Sequence, residues 1–495
     1  MDKNWMTELA SHYSRLKQQY PHDKHLIIFD IDGTILDMRH MVLYLLKRYD
    51  QDHQTTYFND LELSDINVHE NDLVPLFDMF DVPSDIRESL IAWYNTTAWS
   101  SEAMLEAHRP FRGVLEVIRW FQMQPGTYVG LNTARPEMYR TDTLRSLNEL
   151  GQEYKVHFTN DLLAMRESND HKALAAKQAG IRYFQEQGYR IIAFVDNEPD
   201  NLRVVSEIDT ERDMLLLHAE TLFKSKRDSL PNHAIVGNEY DLTALISKNA
   251  LPKHIEFVWQ SINNTPYLEQ FLLSDVYWGE FDVRLNPFNG ELILRGSSFQ
   301  EQALQPEEEF LSLAHALDTL RYKNKGIKLD LKGGGGVIER ILDVALTYGF
   351  NGSKLWFSGH IDHLHKHDFK RLALAHPGAT IQCPVDFLAP LVIHKPQRAR
   401  NILDRLTDWG VNRFSMDWHT ADLRHLFDQM DGWGFELNLY NVRGLEAFLQ
   451  AVLLQPRSIA SDFDFPKWGY HATAAENGHH RNGSRRINKK VIASM

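Results

Sequence analysis

Cysteine is nearly absent from this sequence, since Cys383 is the single cysteine among 495 residues. A lone cysteine excludes an intrachain disulfide and any zinc or iron–sulfur site built from several thiolates. Long hydrophobic runs are absent as well: no segment reaches the roughly 18 consecutive apolar residues of a membrane helix, and charge throughout the first 25 residues argues against a signal peptide. We therefore expect a cytoplasmic protein without a membrane span.

Positive charge is also in deficit. The sequence has 53 Lys and Arg residues against 67 Asp and Glu residues, which gives a formal net charge of −14. A general nucleic-acid binder depends on a basic surface, so we expect no nucleic-acid partner. The composition is 43% hydrophobic and 24% charged, as in an ordinary globular protein, and the length predicts two or three domains. Nothing in the composition indicates an oligomeric state.

The first half of the chain alternates apolar, strand-like runs with amphipathic helical stretches. The apolar runs lie at 26–32, 128–133, 156–160, 191–196 and 214–218. This alternation predicts a doubly wound, Rossmann-like α/β domain over 24–222, after an N-terminal extension at 1–23. The segment from 38 to 110 has a helical pattern without strand signals, which predicts an inserted helical cap. A polar stretch with Pro and no periodicity predicts a linker at 223–250.

The second half contains eight further strand-like runs, most of them followed by amphipathic helical stretches. These runs lie at 255–259, 280–285, 326–332, 354–359, 380–385, 412–418, 435–440 and 458–463. Eight βα units over this length predict a (β/α)8 barrel of the TIM type at 251–470. An extra run at 290–296 is interpreted as a hairpin excursion. The remaining residues, 471–495, are polar and basic, and we expect a disordered tail.

Acidic and basic side chains follow the strand-like runs of the first half. Asp30 and Asp32 end the first run in the sequence D-I-D-G-T, and their spacing of two places both on one side of a strand. Ligands of open α/β sheets bind beyond the carboxyl ends of strands, where complementary groups also lie. These groups are Thr133, Lys172, Asp196 and Asp200. Together they predict a site that handles phosphate, with Lys177 as an alternative to Lys172.

These motifs resemble those of the haloacid dehalogenase superfamily of phosphatases and phosphotransferases over 24–222. The resemblance implies that Asp30 is a nucleophile that forms an aspartyl-phosphate and that Asp32 is the acid–base. It also implies that Thr133 and Lys172 bind the substrate phosphate. The implied Mg²⁺ site consists of Asp30, Asp32 through its main-chain carbonyl, Asp196 and Asp200. The expected function is Mg²⁺-dependent hydrolysis of a small phosphomonoester, with phosphotransfer as the other outcome of this chemistry.

Carboxylates and lysines also alternate on two strand-like runs of the second half, in E-F-D-V and G-I-K-L-D-L-K. These motifs, with W-Q-S-I-N-N-T, resemble the glycerophosphodiester phosphodiesterase superfamily, and more closely its menorin-type relatives. The resemblance implies that a second divalent cation is held by Glu280, Asp282 and Asp330, with Lys332 near the phosphate. These four residues therefore form a second candidate site.

The second half departs from that family at two places where the phosphodiesterases carry an acid–base histidine. The matching stretches 258–261 and 294–297 read V-W-Q-S and L-R-G-S, without histidine. Histidines at 360, 363, 365 and 367 are interpreted either as a replacement acid or metal ligand, or as a surface loop. The glycine run 333–336 is interpreted as a phosphate cradle or a connector. Three hypotheses result: a phosphatase with a binding or degenerate barrel, a bifunctional phosphodiesterase and phosphatase, or a non-catalytic phospho-ligand-binding protein.

Overall fold

The computed structural model describes residues 4–168, 171–220, 230–303, 305, 308–468 and 470. The predicted tail at 471–495 lies outside these residues. The described chain divides into two compact units: the first runs to Ile255 and includes Asp422–Gln429 and Leu445–Pro456, and the second comprises the remainder. Across the described ranges, no helix is long and apolar enough to cross a bilayer.

A six-stranded sheet forms the centre of the first unit. Its strands are β1 (Lys24–Phe29), β2 (Thr127–Pro136), β3 (Leu163–Arg166), β4 (Tyr189–Asp196), β5 (Leu215–Ala219) and β6 (Ile235–Gly237). They pair in parallel in the order β3-β2-β1-β4-β5-β6. This order confirms the predicted doubly wound α/β fold, and its reversal between β1 and β4 creates a crevice at the carboxyl ends of these strands.

Helices surround this sheet and fill the long insertion after β1. They are α1 (Trp5–Gln19), α2 (Arg39–His53), α3 (Val74–Met79), α4 (Ser84–Thr97), α5 (Ser101–Ala107), α6 (Val114–Gln122), α7 (Arg140–Gln152), α8 (Ala173–Glu186), α9 (Pro199–Ser206) and α10 (Leu242–Leu245). The helices α2 to α5 fall inside the segment 38–110, which is therefore helical as expected. Buried side chains of α8 pack on β1 and β4, and they include Ile181 and Phe184.

Three segments of the first unit differ from the sequence-based expectation. The apolar run 156–160 is not a strand, because the amide of Phe158 donates to Asn148 Oδ1 at 2.8 Å rather than to a neighbouring strand. The edge strand β6 lies inside the segment expected to be a linker, 223–250. The segment expected to be an extension, 1–23, contains α1, whose Trp5 indole donates to the carbonyl of Glu239 at 2.6 Å. Both segments therefore take part in the fold.

The second unit contains a closed barrel of eight parallel strands and one antiparallel strand. The strands are β7 (Glu256–Trp259), β8 (Trp278–Leu285), β9 (Leu292–Leu294), β10 (Gly326–Leu331), β11 (Leu355–Ser358), β12 (Thr380–Pro384), β13 (Arg413–Asp417), β14 (Leu437–Val442) and β15 (Ser458–Ser461). Pairing of β15 with β7, and of β8 with β10, closes the ring. The predicted barrel is confirmed, and β9 is the predicted hairpin excursion.

The barrel interior is packed with side chains, and helices follow most of its strands. The helices are α11 (Thr265–Leu273), α12 (Leu313–Leu320), α13 (Gly336–Thr347), α14 (Lys366–Ala375), α15 (Ala389–His394) and α16 (Pro396–Asp408). Two further helices, α17 (Leu423–Gly432) and α18 (Leu445–Leu453), follow β13 and β14 in the chain, but α18 and most of α17 fall in the first unit. Inside the barrel, Trp278 and Trp356 meet edge to face with ring centroids 5.5 Å apart. These two side chains fill the interior, so a ligand site of the barrel has to lie at the strand ends.

Candidate active sites

Asp30 leaves the carboxyl end of β1 next to the end of β4. Its amide donates to the carbonyl of Val195 at 2.8 Å, which holds the two strand ends together. The chain then turns at Gly33, where φ is +77° and a Cβ atom would lie 2.4 Å from Asn197 Nδ2. Only glycine satisfies both conditions without strain. The D-I-D-G-T motif thus turns the chain sharply and leaves both aspartates at the crevice.

Lys177 of α8 joins the two principal carboxylates of this site. Its Nζ lies 2.5 Å from Asp30 Oδ1 and 2.8 Å from Asp196 Oδ2, and it also donates to the carbonyl of Asn132 at 2.7 Å. Burial alone would lower the pKa of Lys177, but Asp196 and Asp30 outweigh burial and raise it. Lys177 therefore stays an ammonium and links the ends of β1, β2 and β4.

Burial and the charge of Asp196 oppose the ionised form of Asp30 more strongly than Lys177 favours it. Burial raises the pKa of Asp30, Lys177 opposes that shift, and the negative charge of Asp196 adds to it. Asp196 is further bonded by the amide of Glu198 at 2.8 Å and by Asn201 Nδ2 at 3.0 Å. The residues that we call the Asp30 cluster are Asp30, Asp32, Lys177 and Asp196.

Asp32 forms a two-pronged ion pair with Arg135, for which the sequence favours a surface role over a substrate contact but which is buried in the structure. Arg135 Nη2 lies 2.6 Å from Asp32 Oδ1, and Arg135 Nε lies 2.8 Å from Oδ2. Burial raises the pKa of Asp32, but Arg135 outweighs it and lowers the pKa. Asp32 is therefore a carboxylate in this geometry.

A chain of hydrogen bonds supports Arg135 from behind. Arg135 Nη2 lies 3.2 Å from His108 Nε2, and His108 Nδ1 lies 2.7 Å from Ser146 Oγ. Burial lowers the pKa of His108 to about 3, and the charge of Arg135 contributes further. Neutral His108 can then accept a hydrogen bond from Arg135 Nη2 through Nε2, while its Nδ1–H donates to Ser146 Oγ. The guanidinium is held in one orientation toward Asp32.

The predicted insertion contributes groups near the same carboxylates. His69 Nε2 lies 3.1 Å from Glu198 Oε1, and His69 Nδ1 lies 3.3 Å from Glu70 Oε2. The hydrogen bond with Glu198 raises the pKa of His69 against burial. Burial raises the pKa of Glu70, and the charge of Asp32 adds to that shift. An imidazole and an acid of the insertion thus lie beside the Asp30 cluster.

Three further residues were predicted for the first site, and the structure gives each of them different surroundings. Thr133 is buried in β2, and its Oγ1 accepts from the amide of Arg135 at 3.2 Å. Lys172 is exposed and precedes the first turn of α8, and the lysine that the structure brings to the carboxylates is Lys177. Asp200 is 58% exposed and pairs with Arg203 at 3.3 Å, away from Asp196, because it points out from the first turn of α9. It is not brought into the cluster.

The sequence contains signals for the positions of both Lys177 and Arg135. Lys177 lies four and seven positions before the buried residues Ile181 and Phe184, so a helix places it on the face toward the sheet. Arg135 lies two positions after Thr133 in a strand, so both side chains leave the same face of β2.

The second candidate site lies where the strand register of the barrel pairs residues of β8 and β10. Glu280 lies opposite Lys328, and Asp282 lies opposite Asp330. Because side chains alternate along a strand, all four leave the same face. Oxygen atoms of Glu280, Asp282 and Asp330 lie within 4.8 Å of one another, a group that could hold a metal ion. The structure thus brings the three predicted acids together.

Lysines neutralise most of this negative charge. Lys328 Nζ lies 2.6 Å from Glu280 Oε2, and Lys332 Nζ lies 2.9 Å from Asp282 Oδ1 and also contacts Asp330. Burial raises the pKa of Glu280 despite Lys328, whereas Lys332 outweighs burial and lowers the pKa of Asp330. We call Glu280, Asp282, Lys328, Asp330 and Lys332 the Glu280 cluster.

This cluster forms part of the wall of a cavity of about 410 Å³. Strand-end and loop residues complete the wall, and they include Gln260, Ser261, Gly296, Ser358, His360, His363, Gln382, Ser415, Tyr440 and Asn441. The stretches in which histidine was expected thus contribute Gln260, Ser261 and Gly296 instead. The cavity has the size of a site for a small molecule, and its wall is mainly polar.

Comparisons with known proteins find similarity to solved structures alone. No protein-family model matches the chain, and no curated protein matches it. Solved structures similar to this chain include a phosphodiesterase from Oleispira antarctica in complex with the product sn-glycerol-3-phosphate, at 14% identity over 44% of this chain and 95% of that one, with a TM-score of 0.32.

Two other similar structures are of the phosphatase kind. One is a provisionally named phosphatase from Clostridium difficile, at 13% identity over 45% of this chain and 99% of that one, with a TM-score of 0.32. The other is a provisionally named haloacid dehalogenase-like hydrolase from Bacteroides fragilis, at 11% identity over 43% and 97%, with a TM-score of 0.29. The fold assignment rests on the strand orders described above.

Proposed function

We propose that the first unit hydrolyses phosphate monoesters at the Asp30 cluster. The observation that carries this proposal is the single ammonium of Lys177 bonded to both Asp30 and Asp196 at adjacent strand ends. A carboxylate that attacks a phosphate dianion needs nearby positive charge to offset the repulsion. Lys177 supplies part of that charge at the attacking oxygen itself.

The reaction has two steps in this proposal. An oxygen of Asp30 forms a bond to phosphorus while the bond from phosphorus to the leaving oxygen breaks, which gives an aspartyl-phosphate. The leaving oxygen takes a proton from solvent to become the alcohol, and Asp32 returns to solvent the proton that it accepts in the second step. Water then attacks that phosphorus, its proton passes to Asp32, and the bond to Asp30 breaks to release inorganic phosphate. Thr133 on β2 orients a phosphoryl oxygen, and Lys177 contributes positive charge from its place between Asp30 and Asp196. A small substrate fits best, because the helical insertion lies beside the cluster.

Arg135 decides which of these steps Asp32 serves best. The ion pair holds Asp32 as a carboxylate, which is the form that accepts a proton from water. Protonation of a leaving alkoxide requires Asp32 to arrive protonated, and the guanidinium disfavours that form. The geometry therefore favours substrates whose leaving group departs with little help from an acid.

A divalent cation fits this donor set. Asp30 and Asp196 are buried carboxylates at adjacent strand ends, and Lys177 Nζ contacts one oxygen of each. The second oxygen of each carboxylate is a donor of the kind that Mg²⁺ prefers. Asp30, Asp196 and the main-chain carbonyl of Asp32 would hold Mg²⁺. When bound, the ion would supply the remaining positive charge that the phosphate requires.

A second candidate function is phosphodiester hydrolysis at the Glu280 cluster. The observation that favours it is a cavity wall with three convergent acids and two lysines at the mouth of a barrel. A divalent cation held by the acids, with Lys332 beside it, would suit a phosphodiester anion. With both sites active, the monoester product of the barrel would be a substrate for the first unit.

A reciprocal experiment tests both functions with the full-length protein. Release of phosphate from 4-nitrophenyl phosphate and of nitrophenolate from bis(4-nitrophenyl) phosphate is measured with Mg²⁺ or Mn²⁺. We expect Asp30→Asn to abolish monoester turnover and retain diester turnover. The double variant Glu280→Gln with Asp282→Asn should do the reverse. Unchanged monoester turnover in Asp30→Asn would overturn the first function, and unchanged diester turnover in the double variant would overturn the second.

A further inference from the structure

The loop after β11 places two histidines on the wall of the barrel cavity. β11 pairs with β10 so that Ser358 lies opposite Asp330, and His360 follows two residues later. His360 and His363 both line the cavity together with the Glu280 cluster. An imidazole is therefore present at this cavity, although it comes from a different strand end than the sequence resemblance implies.

Asp362 contacts the Nδ1 nitrogen of His360 through both its side chain and its main chain. Its carboxylate Oδ2 lies 2.9 Å from His360 Nδ1, and its main-chain amide lies 3.2 Å from the same atom. The carboxylate accepts from Nδ1 when that nitrogen is protonated, and the amide donates to it when it is bare. Asp362 can thus hold the ring in either protonation state, which leaves Nε2 available for proton transfer.

The glycine run after β10 packs against this loop. A Cβ atom on Gly334 would lie 2.5 Å from the carbonyl oxygen of His363, so a side chain at this position is excluded. Within the loop, the amides of His363 and Leu364 donate to the carbonyl of His360 at 3.0 and 2.9 Å. The histidine loop is thus a tight turn held by a neighbouring loop, and Gly334 serves that contact.

The four histidines of the run have different surroundings. His365 is the residue before α14, and it shares a capping box with Asp368. His367 is 67% exposed and lies 3.2 Å from Asp368 Oδ1. Neither belongs to the cavity wall, whereas His360 does. Among these positions, His360 combines a place at the cavity with a carboxylate partner.

We propose that His360 is the general acid for phosphodiester cleavage in the barrel cavity and that Asp362 positions its ring. This inference rests on the second candidate function above. In the reaction, the oxygen of water bonds to phosphorus and its proton passes to solvent, while the bond between phosphorus and the leaving oxygen breaks. His360 gives the Nε2 proton to that leaving oxygen and is reprotonated from solvent. The products are a phosphomonoester and an alcohol.

The need for an acid depends on the leaving group, and this dependence gives a specific test. An alkoxide leaves poorly unless it is protonated, whereas nitrophenolate is a stable anion without a proton. Two diesters are compared in the full-length protein carrying Asp30→Asn, namely glycerophosphoglycerol and bis(4-nitrophenyl) phosphate, both with Mn²⁺. The variants are His360→Gln and, as a matched control from the same run, His367→Gln.

We expect His360→Gln to lower kcat/KM for glycerophosphoglycerol by about 10²-fold or more, and for the nitrophenyl diester by less than about tenfold. Asp362→Asn should lower only the alkyl diester rate, by a smaller factor, and His367→Gln should change neither. Equal losses on both diesters, or none, would overturn the role of His360. If the Asp30→Asn protein cleaves neither diester, the second candidate function fails and the inference fails with it.

Discussion

The two candidate sites contain the same charges in different arrangements. The Asp30 cluster with Arg135 has three carboxylates and two basic groups, and so has the Glu280 cluster. In the first, one lysine joins two acids from separate strands, and the third acid has its own arginine. In the second, Lys328 lies opposite Glu280 on two paired strands, and Lys332 contacts both other acids. The two sites therefore have the same number of acidic and basic groups, and they differ in where each basic group lies.

Removal of one lysine from each site should separate them most strongly. Lys177→Met leaves Asp30 and Asp196 without their shared cation, and breaking a buried pair of this kind costs about 3–5 kcal/mol. We expect monoester turnover to fall by at least about 10²-fold. Lys328→Met should leave monoester turnover within about twofold, because its partner Glu280 belongs to the other cluster.

Lys172→Met is the control for this experiment, because Lys172 is exposed and directly precedes α8, the helix that contains Lys177. We expect its monoester kcat/KM to stay within about twofold of the unmodified protein. Monoester turnover and thermal unfolding are measured side by side for all three variants. Loss of turnover in Lys172→Met, with Lys177→Met unaffected, would contradict the assignment of Lys177.

The contrast between these lysines also defines what the sequence could predict. Asp30, Asp32 and Asp196 directly follow apolar strands, so their position at the sheet edge could be predicted from adjacency alone. The choice between Lys172 and Lys177 depends on the rotation of α8, which only its buried face fixes. The burial of Arg135 could not be predicted, because its partner Asp32 lies 103 residues away and a contact over that separation depends on the sheet order.

The barrel illustrates the same limit in another form. All eight strands were predictable from apolar runs, and so were the acids at 280, 282 and 330 on them. The pairing of Glu280 with Lys328, however, depends on the register between β8 and β10. The place of His360 at the cavity depends on a turn and on Gly334, neither of which produces a periodic signal. The strands of the barrel could thus be predicted, but its registers and loop contacts could not.

A pair of aspartates tests the metal side of the comparison. Asp196 is fully buried against Lys177, whereas Asp200 is exposed beside Arg203. We expect Asp196→Asn to raise the Mg²⁺ concentration for half-maximal monoester turnover by about tenfold or more and to lower the maximal rate. Asp200→Asn should shift neither by more than about twofold. A shift of the Mg²⁺ requirement in Asp200→Asn alone would restore Asp200 as a ligand and contradict the described geometry.

The smallest effect concerns the histidine of the insertion, a feature of the first site. The hydrogen bond with Glu198 raises the pKa of His69 in the folded protein. A raised pKa adds stability that is fully present below the unfolded value of about 6.5 and is lost as the pH rises through the folded value. Because the pair is partly exposed, we expect it to contribute less than about 1 kcal/mol to the free energy of unfolding.

His69→Gln should therefore lower the thermal midpoint at about pH 6 and have almost no effect at about pH 8.5. His171→Gln, which removes a more exposed pair with Glu167, is the control and should leave both midpoints unchanged. An equal loss at both pH values would mean that His69 contributes by packing, and the ion pair with Glu198 would then have no part in holding the insertion beside the Asp30 cluster.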